Sequence, residues 1–197
     1  MSKPFNPHDK YFKKAKELGK RARSYFKIEE VDNRFGLLQT GQHIMDLGAA
    51  PGSFSEYALE KVGPTGFVLG VDLQEIANLG DKKRVVMIVG DINEDNTKAE
   101  VARVHPGLFD GIISDLAPKT SGILDFDQYE SCELSYEVLR WAEKFMKRSG
   151  FVVMKVLQGG DFAKLIAFAK RRFRNVKTFK PDSSRDSSSE VYVVCFS

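Results

Sequence analysis

The chain has 197 residues, 42% hydrophobic and 29% charged, with 30 Lys and Arg against 27 Asp and Glu, a length and balance that suit one globular domain with a real core. No apolar run approaches the roughly 20 residues a membrane helix needs, and the opening MSKPFNPHDK lacks the apolar stretch of a signal peptide, so a cytoplasmic protein with no membrane association is expected. Cys132 and Cys195 form no C-x-x-C and no ligand spacing with the three histidines, which argues against a metal centre and for two reduced core thiols.

Charge is uneven along the chain. Residues 1–27 carry nine basic side chains against Asp9 and Glu17, a net of +7, which leaves −4 for the other 170 residues of a chain whose total is +3. Residues 1–19 read as a mobile basic arm that turns helical near Tyr11, and residues 20–197 as the single domain. Tyr11, Phe12, Tyr25 and Phe26 are interleaved with the cations. Aromatic rings among cations suit RNA, where bases stack and phosphates pair, although a solvated helix face is the plainer alternative. Across Lys20–Phe35, Tyr25, Ile28, Val31 and Phe35 recur at helical spacing, with Lys27 off that stripe beside Arg23.

Residues 45–55, MDLGAAPGSFS, read as a strand, a small-residue turn and a helix running over Ser53–Val62. Gly and Ala let a backbone approach a ligand closely, and such a turn lies at the carboxyl end of a strand, where open α/β sheets bind ligands. An ordinary strand-to-helix turn is the alternative. The dinucleotide fingerprint is absent, because Ala50 stands where its second Gly belongs. That disfavours NAD, and D-L-G-A-A-P-G instead resembles the first motif of S-adenosylmethionine (SAM)-dependent methyltransferases.

Three apolar runs then end in acids: Gly66–Asp72, Arg84–Asp91 and Phe109–Asp115. Asp72 lies 20 residues past Gly52, where a carboxylate can accept both hydroxyls of a ribose. Asp91 could sit near an adenine, with capping of a helix over residues 93–103 as its rival. Three strand-end carboxylates would share one edge of a parallel sheet. Residues 116–122 read as a loop and Asp127–Arg148 as a long helix with Leu134, Val138, Leu139, Trp141, Ala142 and Phe145 inward. Phe151–Leu157 is a strand interrupted by Lys155, which is either a partly buried amine beside the acidic edge or one that snorkels out. Phe162 to Phe173 mark another helix, with Lys164, Lys170, Arg171, Arg172 and Arg174 as a second basic face. A short strand over Val176–Lys180, a turn-rich loop over 181–189 and a final strand over Glu190–Phe196 complete the chain. Five β–α alternations and a final hairpin predict one α/β/α sandwich, Rossmann-like, with a mostly parallel seven-stranded sheet and an antiparallel last strand.

Seven segments together resemble the FtsJ family of ribose 2′-O-methyltransferases: R-S-Y-F-K-I-E-E, D-L-G-A-A-P-G-S-F-S, V-D-L, G-D-I, S-D-L-A-P, V-M-K-V-L-Q-G and K-P-D-S-S-R-x-S-S-S-E-V-Y-V-V. They run in the family's order from about Arg21 to the carboxyl terminus. The resemblance implies SAM as methyl donor and a Lys-Asp-Lys-Glu tetrad on Lys27, Asp115, Lys155 and Glu190. It places cofactor contacts on Gly52, Phe54, Asp72, Asp91 and Asp115. Ser53 stands where the family usually has Gly, and Phe54 where it usually has Trp, without the indole N–H. The implied substrate is a ribose 2′-hydroxyl of large-subunit ribosomal RNA, a uridine in the short members. A tRNA substrate, or a catalytically silent RNA-binding assembly factor, are the alternatives. A monomer is expected. Lys155 is the expected base, held by Asp115 and Glu190, with Lys27 on the target nucleotide or its phosphate.

Overall fold

The computed structural model describes residues 10–77, 79–81, 83–185 and 188–197. Two helices come first, α1 (Lys10–Glu17) and α2 (Ser24–Phe35), followed by β1 (His43–Leu47), α3 (Ser53–Val62), β2 (Phe67–Asp72) and β3 (Val85–Val89). Then come α4 (Asp95–Val104), β4 (Phe109–Ser114), α5 (Leu124–Phe145), β5 (Met146–Leu157), α6 (Phe162–Lys170), β6 (Asn175–Phe179) and β7 (Glu190–Phe196). The seven strands form one sheet in the order β3-β2-β1-β4-β5-β7-β6. All neighbours pair in parallel except β7, which runs antiparallel to both β5 and β6.

Alternation along the strands divides the core into two layers. Met45, Leu47, Leu69, Ile112, Val152 and Met154 face α4, α5 and α6. Ile44, Val68, Ile113, Val153, Tyr192 and Val194 face α2 and α3. Successive strand residues point to opposite faces, so a sheet covered on both sides is apolar throughout.

α2 is locked in place at its end. Gly36 takes the left-handed conformation (φ 65°) and donates its N–H to Asp32 O, the usual use of Gly after a helix. The Asp32 carboxylate then accepts the N–H groups of Leu37 and Leu38 on one oxygen and the Tyr57 hydroxyl of α3 on the other. Tyr25 meets Tyr57 edge to face at 5.2 Å, and its hydroxyl donates to Glu60. These contacts set the register of α2 over the sheet and hence the position of Lys27.

Several expectations are corrected. The described part of the basic arm is a helix docked on α2: Ala15 is buried and the Tyr11 and Phe26 rings lie 5.7 Å apart, while residues 1–9 lie outside the described residues. Tyr25 and Phe26 are core residues, so they are closed to base stacking. The helix expected from Lys20 begins at Ser24, because Lys20 still closes α1 through its N–H to Ala15 O. Among the described residues no helix links β2 to β3, which leaves one fewer β–α alternation than expected. The long helix is shifted three residues toward the N-terminus at both ends. At its start Asp127 accepts the Ser121 N–H and hydroxyl, which fixes the first turn ahead of it. At its end Met146 is already extended and pairs with Phe109, so Lys147–Gly150 open β5 across a register shift rather than finishing a helix.

Candidate active site

The cleft lies at the carboxyl ends of β1, β2 and β4, where the strand order reverses between β1 and β4. Gly48 follows β1 with φ 78°, and a Cβ there would stand 2.7 Å from the Leu116 side chain. Only Gly admits both this conformation and this closeness. Gly52 (φ 103°) begins α3. Between them the chain bends so that the Ala50 N–H reaches Asp72 Oδ2 at 2.9 Å, while Asp72 Oδ1 accepts the Gln74 N–H at 2.8 Å. The carboxylate at the tip of β2 is therefore aimed by backbone on both sides and keeps lone pairs for a ligand.

Asp72, Asp91 and Asp115 all line one cleft of about 600 Å³, the shared edge expected of the three strand ends. Asp91 does not cap α4. It accepts the backbone and side-chain N–H groups of Asn93, both at 2.9 Å, and α4 starts at Asp95 with no side-chain cap. Leu116, Pro118, Phe126 and Leu134 form an apolar wall facing these acids. A polar end with ordered carboxylates and an apolar wall, in this volume, fits a nucleoside-sized ligand such as SAM. Gly52 and Phe54 are not brought to the cleft wall. Gly52 sits beside a neighbouring hollow of about 420 Å³ under Arg21, Pro51 and Ile76. Phe54 is 2% exposed and packs against Tyr192.

Beside the cleft, four charged groups from distant parts of the chain converge. In the β5–β7 ladder Lys155 stands opposite Tyr192 and Leu157 opposite Glu190, so Lys155, Tyr192 and Glu190 project from one face. Asp115, the first residue after β4, joins them, and Lys27 comes down from α2. Lys27 Nζ lies 2.7 and 2.8 Å from the two Glu190 oxygens. Lys155 Nζ donates to the Asp115 carbonyl at 2.5 Å and lies 3.1 Å from Asp115 Oδ1. Lys27, Lys155 and Glu190 are all under 10% exposed, so these ion pairs are screened far less than surface ones. Lys155 does not snorkel away from the acids; it stays under the sheet edge with them.

Burial opposes the charge on Asp115, yet the ammonium groups of Lys155 and Lys27 and the Tyr192 hydroxyl override it and hold the carboxyl below its ordinary range. Tyr192 donates to Asp115 Oδ1 at 2.7 Å. Its own phenol is pushed well above the ordinary value, first by burial and then by the negative charges of Asp115 and Glu190, so it remains a neutral donor.

Sequence reasoning missed Tyr192, although its place two residues after Glu190 on a strand puts both on one face. It also missed the fastening of the 181–189 loop. Glu30 accepts the N–H groups of Asp182 and Ser183 at 2.6 and 3.1 Å, and the Ser184 hydroxyl donates to Glu190 Oε1 at 2.9 Å. No local pattern points to the two Glu30 contacts, which span 152 and 153 residues. Asp46 is a third omission. It is fully buried under the turn, takes the Ser55 hydroxyl at 2.6 Å on one oxygen and leaves the other unpaired. Burial, reinforced by Asp115 and Asp72, pushes its carboxyl up to about 7.

Such a strand order, with its reversed seventh strand and a nucleoside cleft at the switch point, defines a Rossmann-like methyltransferase that uses SAM. More narrowly, the chain belongs to the FtsJ-like methyltransferase family, whose model matches residues 20–197. It is 42% identical over 192 residues to the ribosomal RNA large subunit methyltransferase E of Bdellovibrio bacteriovorus, covering 96% of both chains. Among solved structures, a ribosomal RNA methyltransferase from Plasmodium falciparum superposes with a TM-score of 0.79 at 27% identity, over 89% of this chain and 97% of that one. The fibrillarin of Aeropyrum pernix, solved with SAM bound, shares the fold at a TM-score of 0.57 and 19% identity over 80% and 67% of the two chains.

Proposed function

We propose that the protein methylates a ribose 2′-hydroxyl of large-subunit ribosomal RNA, with Lys27, Asp115, Lys155 and Glu190 as the catalytic groups. SAM, when bound, supplies an electrophilic methyl group. Asp72 is suited to its ribose hydroxyls and Asp91 to the adenine side of the cleft, with Gly52 and Phe54 supporting the turn from beneath.

The observation that carries the reading is the meeting of two buried lysine–carboxylate pairs at the edge of the nucleoside cleft, with Asp115 belonging to both cleft and cluster. A 2′-hydroxyl is a weak nucleophile until its proton is drawn away. Lys155 Nζ makes two contacts with acceptors of Asp115. Once the ammonium has given up one proton, the amine keeps two N–H bonds to satisfy them and has one lone pair for the hydroxyl proton. Asp115 thereby orients the lone pair as well as the amine. Glu190 holds the Lys27 ammonium, which stays available as a fixed positive charge for the target phosphate. Positioning of this kind supplies much of the acceleration in a reaction between two bound groups.

The family relatives named for ribosomal RNA are the basis for the substrate class, and the protein is read as a cytoplasmic monomer acting on it. No helix among the described residues is long and apolar enough to cross a membrane. The test is methyl incorporation into ribosomal RNA with nuclease digestion and mass spectrometry of the product. Lys155→Ala is expected to bind SAM as wild type and to transfer no methyl, and Lys155→Arg to fail likewise because guanidinium stays charged. Wild-type rates in Lys155→Ala, or a base-methylated product, would refute the proposal.

A further inference from the structure

The second basic face expected after Phe162 is not a single surface. Lys164 pairs with Asp161 at 2.7 Å at the start of α6. Arg172 pairs with Glu143 and lies over the Phe168 ring. Lys170, Arg171 and Arg174 remain exposed at the other end of α6. Exposed Lys144, from the last turn of α5, and Arg148, from the start of β5, come to the same edge. The strand register shows why. Asn175, Phe196 and Phe151 stand side by side on β6, β7 and β5, and the Ser197 N–H reaches Gly150 O. Arg174 directly precedes this row on β6, and Arg148 stands three residues before it on β5. Among the described residues no carboxylate lies within 4 Å of any of these five cations, whereas neighbouring Lys147 is paired with Asp110.

The catalytic cluster is at the opposite end of the same strands, at the row of Leu157 and Glu190. Six residue steps separate Phe151 from Leu157, roughly 20 Å at the rise of a strand. A phosphate held at the lower edge cannot belong to the nucleotide presented to Lys155. Five unneutralised cations on one edge form the footprint of a polyanion, whose condensed counterions are released on binding.

We infer that this edge is a second RNA-binding surface, gripping the phosphates of a segment separate from the one that carries the target ribose. This rests on the RNA methyltransferase reading above. It makes the enzyme a clamp across two parts of a folded RNA, with α1 and the start of α2 contributing cations at the catalytic end.

Two measurements test it with the full chain. In the first, the dependence of binding to large-subunit ribosomal RNA on salt is compared for wild type and Lys170→Ala/Arg171→Ala/Arg174→Ala. The log–log slope should become shallower by about 2 to 3, at 0.7–0.9 per lost phosphate contact, with SAM affinity unchanged. An unchanged slope overturns the inference. In the second, an iron–EDTA probe is attached at Arg174→Cys and, separately, at Lys13→Cys. The native thiols Cys132 and Cys195 are 1% and 0% exposed and stay unlabelled. The probe at 174 should cleave a segment distinct from that cut from position 13, where cuts should cluster near the methylated nucleotide. No cleavage from 174, or the same cuts from both, overturns it, and this arm survives if the triple variant fails to fold. A wild-type protein that methylates no RNA would instead refute the functional reading itself.

Discussion

Breaking the Lys27–Glu190 pair one side at a time should separate its structural effect from its chemical one. At 2.7 Å and an effective dielectric near 20, the gross attraction is about 6 kcal/mol. Burial offsets much of this, since each ion gives up several kcal/mol of hydration. The pair as a whole is therefore close to neutral for stability, while one partner left alone is not. Lys27→Met removes the ammonium from a Glu190 whose remaining side-chain donor is Ser184. The expected loss is about 3–5 kcal/mol. With a urea m-value near 2 kcal/mol/M, that is a midpoint lower by about 1.5–2.5 M. The double variant Lys27→Met/Glu190→Gln keeps the shape, removes both charges and should recover to within about 1 kcal/mol of wild type. All of these variants, including Glu190→Gln alone, should be inactive in methyl transfer. Urea unfolding of the four proteins, followed by circular dichroism, gives the coupling energy directly. Additive single effects, or a Lys27→Met midpoint equal to wild type, would refute the reasoning.

Asp46→Asn should change how stability responds to pH. The native carboxyl titrates near 7 instead of the ordinary 3.8, so between those values the folded state holds a proton that the unfolded state has lost. Wild-type stability then falls as pH rises through that window and levels off above it, by up to about 4 kcal/mol at 1.36 kcal/mol per unit. The variant lacks this component, so its stability relative to wild type should climb from pH 4 to pH 7, and a flat difference in chemical denaturation would refute it. Tyr192→Phe removes the 2.7 Å donor to Asp115 while keeping the ring. A loss of about 1–3 kcal/mol is expected at neutral pH. Because Asp115 titrates low in the fold, its contribution is present above the ordinary carboxylate value and lost as pH falls through the depressed one. The variant's deficit should accordingly shrink in acid, which thermal unfolding at several pH values will show.

Local pattern carried most of the frame. β1, α3 and the three acid-tipped strands were readable because apolar alternation, Gly punctuation and strand-end carboxylates act over fewer than ten residues. The ends of α5 were not readable, because Lys147-Arg148-Ser149-Gly150 has the composition of a helix terminus, and only pairing of Met146 with Phe109 converts it to strand. Tyr25 and Phe26 misled for a related reason. Aromatic rings among lysines look the same in sequence whether they face solvent or, as here, the core against α3.

By itself, then, the amino-acid sequence determined the order of elements, the glycine turn, the strand-tip acids and, through seven family segments, the choice of the four side chains proposed as catalytic. Tertiary structure alone decided how those four pair, that Tyr192 bridges to Asp115, that Glu30 fastens the last loop, and that the basic residues after α6 lie at the opposite edge of the sheet from those four. Propensity and periodicity operate between near neighbours along the chain. Ion pairs such as Lys27–Glu190, 163 positions apart, exist only once the register of a seven-stranded sheet has brought their elements together.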